Sequence, residues 1–220
     1  MLNNIDACIF DMDGTLIDSM WMWKDIDIEF LGRKNITIPD NLQKQIEGMN
    51  FLQTAVYFKE HFGFSESVEE IMHIWNCMAM DKYRYEVFLK DGAEDFLRYL
   101  KLHDVKLGIA TSNSRKLAVC SLDSLGITDY FDAIITGNDV EKGKPDPEIY
   151  LKCAGALGIS PSKCLVFEDI LPGIESAHRA GMKVCAVYDD YSADTDVQKK
   201  AQSDYYISGF ADIERKETWQ

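Results

Sequence analysis

The sequence predicts an α/β protein in which a doubly wound parallel sheet forms the core and a helical domain is inserted into that core. Three observations support this fold class. Short apolar runs recur along the chain, as is typical of strands buried on both faces of a parallel sheet. Amphipathic helical patterns separate the later runs. A long helical stretch interrupts the chain soon after the first run.

Six apolar runs are predicted to be strands, and helix signals stand between them. Ser114 precedes a helical pattern that stops before Gly126, a residue type that suits the left-handed position past a helix end. Pro147 stands near the first turn of the next helix, and Gly158 follows its last turn. This alternation predicts a Rossmann-like core. The predicted strands are IDACIF (5–10), VKLGIAT (105–111), DAIIT (132–136), KCLVFED (163–169), KVCAVYD (183–189) and, with a weaker pattern, DYYIS (204–208).

A helical domain is predicted for residues 18–87, between the first strand and the helix that starts near Gly92. A parallel crossover needs only about a dozen residues, so this stretch is far longer than the connection requires. Residues 1–17 and 88–220 would form the core, and the polar tail ERKETWQ is expected to fray. The insertion shows no strand pattern and no repeat, and its helical segments are SMWMWKDIDIEFLG, DNLQKQIEGMNFLQTAVYFKEHFG and SVEEIMHIWNCMAMDKYRYEVF.

Composition limits the partners that this chain could bind. The 220 residues carry a formal net charge of −14, and so acidic a surface would repel nucleic acid and anionic membrane lipid. No apolar stretch is long enough to span a membrane, and the first predicted strand begins without a preceding signal peptide, so a cytoplasmic protein is expected. The six cysteines show no C-x-x-C spacing, which favours reduced core thiols over zinc ligands or disulfides. A monomer is expected, with a dimer left open.

Polar residues suited to chemistry follow four of the predicted strands. Taken singly, each pattern has an ordinary structural explanation, such as a solvated turn or a helix cap. Their shared position matters, because ligands in open α/β sheets bind outside the carboxyl ends of the strands. The sequence therefore predicts one site, which contains Asp11, Asp13, Thr111, Ser112, Asn113, Lys144, Glu168 and Asp169.

The residue types in this set indicate phosphoryl transfer assisted by Mg²⁺. Carboxylates as close in sequence as Asp11 and Asp13 repel each other unless a cation offsets their charge. Mg²⁺ prefers oxygen ligands and binds through one or two carboxylates, waters and a substrate phosphate. A lysine, a hydroxyl and backbone N–H groups suit the phosphate oxygens. An aspartate that faces a bound phosphate can attack phosphorus and form an aspartyl-phosphate.

The motifs at the strand ends resemble those of a known superfamily. DMDGTLIDS, ATSNS, KGKPDP and VFEDILPGI…AGM look like the four signature motifs of the haloacid dehalogenase-like superfamily. The helical insertion after the first motif resembles the cap of the phosphoglycolate phosphatase and β-phosphoglucomutase branch. The resemblance covers the whole chain, and it implies a Mg²⁺-dependent enzyme with a Rossmann-like core and a helical cap.

The resemblance also implies a role for each matching residue. Asp11 is expected to be the nucleophile that takes the phosphoryl group. Asp13 is expected to be the general acid for the leaving oxygen and then the general base for water. Lys144 would offset the charge on the nucleophile. Phosphate binding is expected from Thr111, Ser112, Asn113 and Lys144. The expected metal ligands are Asp11, Asp13 through its backbone carbonyl, Asp169 and Glu168, the last directly or through water.

Several functions are compatible with this motif set, and a phosphatase acting on a small phosphorylated metabolite ranks first. A mutase of the β-phosphoglucomutase type uses the same core, but family mutases carry an arginine in the cap loop. The matching stretch QIEGMNFLQTAV (45–56) has neither arginine nor lysine, and the nearest cation is Lys44. A dehalogenase is disfavoured because family dehalogenases lack the second aspartate of the first motif, whereas this chain has Asp13 there. A non-catalytic binding module is disfavoured because every catalytic position is filled.

Overall fold

The core of the protein is a six-stranded, all-parallel sheet, which confirms the predicted fold class and all six predicted strands. The computed structural model describes residues 1–213, so the prediction for the tail at 214–220 lies outside the described residues. The bounds of its strands are β1 Ala7–Phe10, β4 Lys106–Thr111, β5 Ala133–Thr136, β6 Cys164–Glu168, β7 Lys183–Val187 and β8 Tyr205–Ile207, and β2 and β3 lie outside this sheet. The strands lie in the order β5-β4-β1-β6-β7-β8.

Strand β1 lies at the centre of the sheet and determines where the site forms. Ala7 pairs with Lys106 of β4 on one side and with Cys164 of β6 on the other. The strand order reverses direction at β1, and such a reversal opens a crevice at the carboxyl ends of the strands. The residues that follow β1, β4 and β6 therefore meet at one edge of the sheet.

Helices cover both faces of the sheet, as the alternation of side chains along β1 shows. Cys8 and Phe10 belong to one buried apolar cluster, whereas Ala7 and Ile9 belong to another on the opposite face. The rings of Phe10 and Phe167 stack with centroids 4.8 Å apart, which joins β1 to β6. The core helices are α5 Ala93–Leu102, α6 Arg115–Ser124, α7 Glu148–Leu157, α8 Leu171–Arg179 and α9 Asp196–Gln202.

The segment between β1 and α5 is helical, as predicted, but its middle part forms two helices rather than one. Gly48 has φ +80°, a conformation that ends the first of them. Asn50 then begins the second through a capping box with Gln53. A two-residue antiparallel ribbon, which the sequence patterns did not indicate, joins the chain where it enters and leaves this segment. The elements are β2 Ile17–Asp18, α1 Met20–Gly32, α2 Leu42–Ile46, α3 Phe51–Phe62, α4 Val68–Tyr85 and β3 Phe88–Leu89.

The inserted helices contact the sheet edge directly. The Phe51 N–H donates to the carbonyl of Ser112 at 3.0 Å, and the Gly143 N–H donates to Oε1 of Gln53 at 3.1 Å. Helix α4 packs along α6. These contacts hold the insertion over the carboxyl ends of the strands.

Residues 1–213 include no helix that combines the length and the apolar character needed to cross a membrane. The expected cytoplasmic location stays a prediction.

Candidate active site

A cavity of about 540 Å³ lies between the strand ends and the inserted helices. Seven of the eight predicted site residues border it, namely Asp11, Asp13, Thr111, Ser112, Asn113, Lys144 and Asp169. The eighth, Glu168, is fully buried beneath the cavity wall. The inserted helices supply the opposite wall, so the cavity is shared between the two parts of the chain.

Asp11 and Lys144 form a buried ion pair at the base of the cavity. Lys144 Nζ donates to Oδ1 of Asp11 at 2.6 Å and also to Oε1 of Glu168, and Lys144 is only 5% exposed. Burial raises the pKa of Asp11 to about 8, although the Lys144 charge opposes this rise. Burial also disfavours the charge on Lys144, but its two carboxylate partners outweigh that effect and hold its pKa above the ordinary value.

Glu168 holds Lys144 in place from below. Its Oε1 accepts from Lys144 and from the Tyr150 hydroxyl, the latter at 2.7 Å, and its Oε2 accepts from the backbone N–H groups of Asp169 and Ile170. These four hydrogen bonds match the acceptor capacity of a carboxylate. Gly173 is required beside it, because a Cβ there would lie 1.9 Å from Oε1. The expectation that Glu168 binds a metal stays a prediction, and in this arrangement its carboxylate is directed at Lys144.

Asp169 faces the cavity beside the turn that follows β1. The Thr15 hydroxyl donates to its Oδ1 at 2.7 Å. Gly14 has φ +82°, and a Cβ there would lie 2.3 Å from Oδ2 of Asp169, so only glycine permits this approach. Burial, followed by repulsion from Glu168 and Asp11, raises the pKa of Asp169 well above its ordinary value. The site therefore places a third buried carboxyl group beside Asp11 and Glu168 at this edge of the cavity.

Asp13 lies in a different environment, surrounded by neutral donors. Its Oδ1 accepts from the Ser19 hydroxyl at 2.6 Å and from the Tyr83 hydroxyl, and its Oδ2 accepts from Nδ2 of Asn113 at 3.1 Å. Asn113 Nδ2 also donates to the Tyr83 hydroxyl at 2.6 Å. Burial raises the pKa of Asp13, and these hydrogen bonds partly oppose the rise.

Two of these partners were not among the predicted site residues. Ser19 stands just before α1, where a serine commonly caps a helix, but it makes no side-chain cap bond and its hydroxyl donates to Asp13. Tyr83 was not predicted at all. It lies in α4, far from Asp13 in sequence, on the buried face of this amphipathic helix. No local signal distinguishes it from an ordinary core tyrosine.

The three residues after β4 differ in how they meet the cavity. Thr111 is buried, and its hydroxyl oxygen accepts from the backbone N–H of Asn113 at 3.1 Å. Ser112 is half-buried at the cavity surface. The amide of Asn113 is directed at Asp13, so its expected contact with phosphate stays a prediction.

The donor set at the base of the cavity fits Mg²⁺. Asp11 and Asp169 are buried carboxyl groups that both border the cavity, and burial raises the pKa of each. Within residues 1–213, no three His, Cys, Asp or Glu side chains converge into a complete metal site. A metal would therefore depend on two carboxylates, the backbone carbonyl of Asp13, waters and a substrate phosphate, which is the ligand set that Mg²⁺ usually takes.

Comparison with known proteins identifies the family. The chain matches the haloacid dehalogenase-like hydrolases over residues 8–187. It is 32% identical over 176 residues to validoxylamine A 7'-phosphate phosphatase of Streptomyces hygroscopicus subsp. limoneus, which covers 80% of this chain and 82% of that protein. It is 32% identical over 189 residues to phosphorylated carbohydrates phosphatase of Thermotoga maritima, which covers 81% of this chain and 83% of that protein.

Solved structures agree with this assignment at the level of the fold. β-Phosphoglucomutase of Clostridium difficile superposes with a TM-score of 0.81 and covers 96% of this chain and 93% of that chain, at 21% identity. Identity this low shows a shared fold alone. The class of activity follows from the two sequence relatives, which are both phosphatases by name. Most of the motif residues lie together around the cavity, as the resemblance implied. The chain therefore belongs to the haloacid dehalogenase-like hydrolase family and is a phosphoric monoester hydrolase.

Proposed function

We propose that this protein is a Mg²⁺-dependent phosphatase that hydrolyses a small phosphomonoester through an aspartyl-phosphate on Asp11. One observation carries the proposal: the two carboxylates of the first motif border the same cavity in opposite environments. Asp11 pairs with the buried cation Lys144, whereas the side chains that hydrogen-bond to Asp13 are neutral. Carboxylates with different environments can perform different tasks in one reaction.

The first step is transfer of the phosphoryl group to the protein. A carboxylate oxygen of Asp11 attacks phosphorus, and the bond from phosphorus to the ester oxygen breaks. Protonated Asp13 gives its proton to that leaving oxygen, so the alcohol departs uncharged. Lys144 reduces the repulsion between Asp11 and the incoming phosphate.

The second step returns Asp11 to its starting state. Asp13, now ionised, takes a proton from water, and the water oxygen attacks phosphorus. The bond from phosphorus to Asp11 breaks, and inorganic phosphate leaves. Bound Mg²⁺ would supply positive charge to the phosphate oxygens in both steps.

The remaining site residues position the phosphate and the metal. We propose that Thr111, Ser112, Asn113 and Lys144 bind the phosphate, and that Asp11, Asp169 and the Asp13 carbonyl bind Mg²⁺. The Glu168 carboxylate accepts four hydrogen bonds, from Lys144, the Tyr150 hydroxyl and two backbone N–H groups. Glu168 would therefore act mainly by holding Lys144 in position.

The inserted helices would act as a cap. We assign residues 18–87 to the cap and residues 1–17 and 88–220 to the core, with the β2–β3 ribbon as the pair of connections on which the cap moves. In the structure Tyr83 contacts Asp13 and Phe51 contacts Ser112, and the closed cap would keep these contacts. It would exclude bulk water and complete the pocket around the substrate.

A mutase of the β-phosphoglucomutase type is the alternative, and the cavity favours the hydrolase. A mutase must bind a second phosphate away from the reacting one, a task that suits arginine. Only two cations border the described cavity, Lys44 and Lys144. Lys44 pairs with Asp194 at 2.8 Å, and Lys144 is held by Asp11 and Glu168. Water is therefore the better acceptor.

Phosphate release from a panel of phosphomonoesters, with Mg²⁺ and after exhaustive chelation, tests the proposal. We expect release that depends on Mg²⁺, and full activity in chelator would contradict the metal assignment. β-Glucose 1-phosphate with a trace of the 1,6-bisphosphate separates the alternatives. Rapid formation of glucose 6-phosphate with little free phosphate would identify a mutase instead.

A further inference from the structure

The cap wall of the cavity contains a buried carboxylate that the phosphatase mechanism does not use. Asp27 lies in α1, is only 6% exposed and borders the cavity. Gln43 of α2 also borders the cavity, and its Nε2 donates to Oδ2 of Asp27 at 2.8 Å. Among residues 1–213 this is the single hydrogen-bond partner of Asp27, so its Oδ1 has no donor. We call these two residues the Asp27–Gln43 pair.

Packing does not explain why a carboxylate occupies this position. The neighbouring buried residues on the same helix, Ile26 and Phe30, are apolar. Asp27 lies in the interior of α1, away from the first turn where an acidic side chain would stabilise a helix. A buried carboxylate with one neutral partner costs free energy, and burial raises the pKa of Asp27 to about 7. A buried carboxylate that lowers stability and also borders a cavity suits a role in ligand binding.

The charges that border the rest of the cavity limit what could bind beside the phosphate. Away from the predicted catalytic residues, the charged groups of the lining are acidic except for Lys44, and Lys44 is paired with Asp194. A second phosphate or a carboxylate on the substrate would therefore be repelled. The acidic groups in that part of the lining are Asp27, Asp40, Glu47, Asp190 and Asp194.

The shape and chemistry of the same wall suit an uncharged, hydroxyl-bearing group. Trp23, Phe51 and Trp75 border the cavity and supply flat apolar surface. A hydroxyl can donate to the open Oδ1 of Asp27 and accept from the second N–H of the Gln43 amide. A carboxyl group whose pKa is near neutrality can also donate to a hydroxyl, whereas it pairs with an ammonium only when it is ionised.

We propose that the Asp27–Gln43 pair is the leaving-group subsite, and that it selects phosphomonoesters whose alcohol is an uncharged polyol or sugar. This inference rests on the proposed phosphatase function and names its substrate class. The phosphate would bind at Asp11 and Lys144, and the far hydroxyls of the leaving group would reach the cap. A site built to hydrogen-bond a hydroxyl rejects the analogue that lacks it.

Binding to the Asp11→Asn protein tests the subsite without turnover. Isothermal titration calorimetry with Mg²⁺ would compare four ligands of similar length: sorbitol 6-phosphate, n-hexyl phosphate, 6-aminohexyl phosphate and 6-phosphogluconate. We expect sorbitol 6-phosphate to bind at least roughly 10-fold more tightly than each of the others, as expected for hydrogen bonds to a buried carboxyl group. Equal affinity for the sorbitol and hexyl esters would overturn the inference. Tightest binding of the aminohexyl ester would show that Asp27 recognises an ammonium instead.

A substitution in the subsite and a matched control complete the experiment. Asp27→Leu, added to Asp11→Asn, keeps a similar volume and removes the acceptor, so the preference for sorbitol over hexyl phosphate should fall roughly 10-fold. Asp25→Leu lies on the same helix but is exposed and does not border the cavity, so the preference should be kept. A preference that survives Asp27→Leu would assign selection to other residues.

Phosphate release by the unsubstituted protein distinguishes this inference from the proposed function. Selective binding of the sorbitol ester with no release would uphold the subsite and contradict the phosphatase. Release from all four esters at equal kcat/KM, with equal affinities, would uphold the phosphatase and contradict the subsite.

Discussion

The two walls of the cavity hold their buried carboxylates in different ways. On the core wall, Lys144 bridges Asp11 and Glu168, and Asp13 accepts hydrogen bonds at both of its carboxylate oxygens. On the cap wall, Asp27 has one neutral partner and no ion pair within the described residues. The core wall is therefore organised before substrate arrives, whereas the cap wall leaves an acceptor open. This division suits an enzyme that performs one reaction on the core side and selects its substrate on the cap side.

The elements behind each wall account for the difference. The core groups sit at the ends of parallel strands whose backbones are fixed by hydrogen bonds on both sides. The cap groups sit on helices that contact the core through a few hydrogen bonds and through α4 against α6. A chemical step requires atoms held within a fraction of an ångström, which the strand ends provide. The following predictions test this division, from the largest expected effect to the smallest.

Asp11→Asn tests whether the core wall carries the reaction. Removing the nucleophile should lower phosphate release by more than about 10³-fold, in line with other substituted nucleophiles. Asp6→Asn, an exposed aspartate just before β1, is the matched control and should change release less than about twofold. Initial rates with p-nitrophenyl phosphate measure both. Substantial turnover by Asp11→Asn would contradict covalent catalysis through this residue.

Lys144→Met tests the bridge between the two core carboxylates. Removal of the cation leaves Asp11 and Glu168 buried without a partner charge, which should lower the free energy of unfolding by about 3–5 kcal/mol. The control is Lys142→Met in the same loop, where the side chain is 72% exposed and the ion pair with Asp146 spans 3.8 Å. That surface change should lie within about 0.5 kcal/mol. Urea unfolding monitored by tryptophan fluorescence measures both, and similar values for the two variants would refute the bridge.

Asp27→Asn tests the cost of the open carboxylate on the cap wall. Burial raises the folded-state pKa of Asp27 from 3.8 to about 7, so between these values the unfolded chain has lost a proton that the folded protein keeps. The free energy of unfolding therefore falls, on account of this group, as pH rises from about 4 to 7, by at most roughly 4 kcal/mol. Asp27→Asn should be more stable than the unsubstituted protein at pH 8 and close to it at pH 4.

Urea unfolding at both pH values, in chelator, measures this difference. The other charged groups that border this cavity away from the predicted catalytic residues are the same in both proteins and cancel in the comparison; they are Asp40, Lys44, Glu47, Asp190 and Asp194. Asp25→Asn, exposed on the same helix, should show no comparable change between pH 4 and pH 8. A stability difference for Asp27→Asn that does not vary with pH would show that Asp27 keeps an ordinary pKa.

Tyr83→Phe tests a contact that joins the cap wall to Asp13, the proposed general acid. Tyr83 is a positioning residue, because its hydroxyl donates a hydrogen bond to Asp13 and accepts one from the Asn113 amide. Its loss should lower kcat roughly 10-fold for an alkyl phosphate, whose leaving oxygen needs a proton, and less for p-nitrophenyl phosphate. Tyr85→Phe, 69% exposed on the same helix, is the control. An equal loss with both esters would indicate a merely structural role.

Much of the core could be predicted from local patterns. The six strands were recognised because apolar runs of that length, bounded by polar turns, suit strands buried on both faces. Helix bounds near Ser114 and Gly158 followed from capping preferences. The break at Gly48 was missed, because the apolar spacing continues across it. The reason for glycine there is tertiary: a Cβ would lie 2.8 Å from both the Lys144 carbonyl oxygen and Cβ of Pro172.

The sequence by itself determined which residues meet at the catalytic edge. Parallel strands bring their carboxyl ends together, so Asp11, Lys144 and Asp169 were predicted neighbours before any contact was known. The tertiary structure alone decided what each of them touches and what faces them. Glu168 turned towards Lys144, Tyr83 came from a distant helix onto Asp13, and Asp27 faced the cavity rather than solvent. Topology follows from local periodicity, whereas the direction of a side chain depends on packing between segments far apart in the chain, which no local pattern encodes.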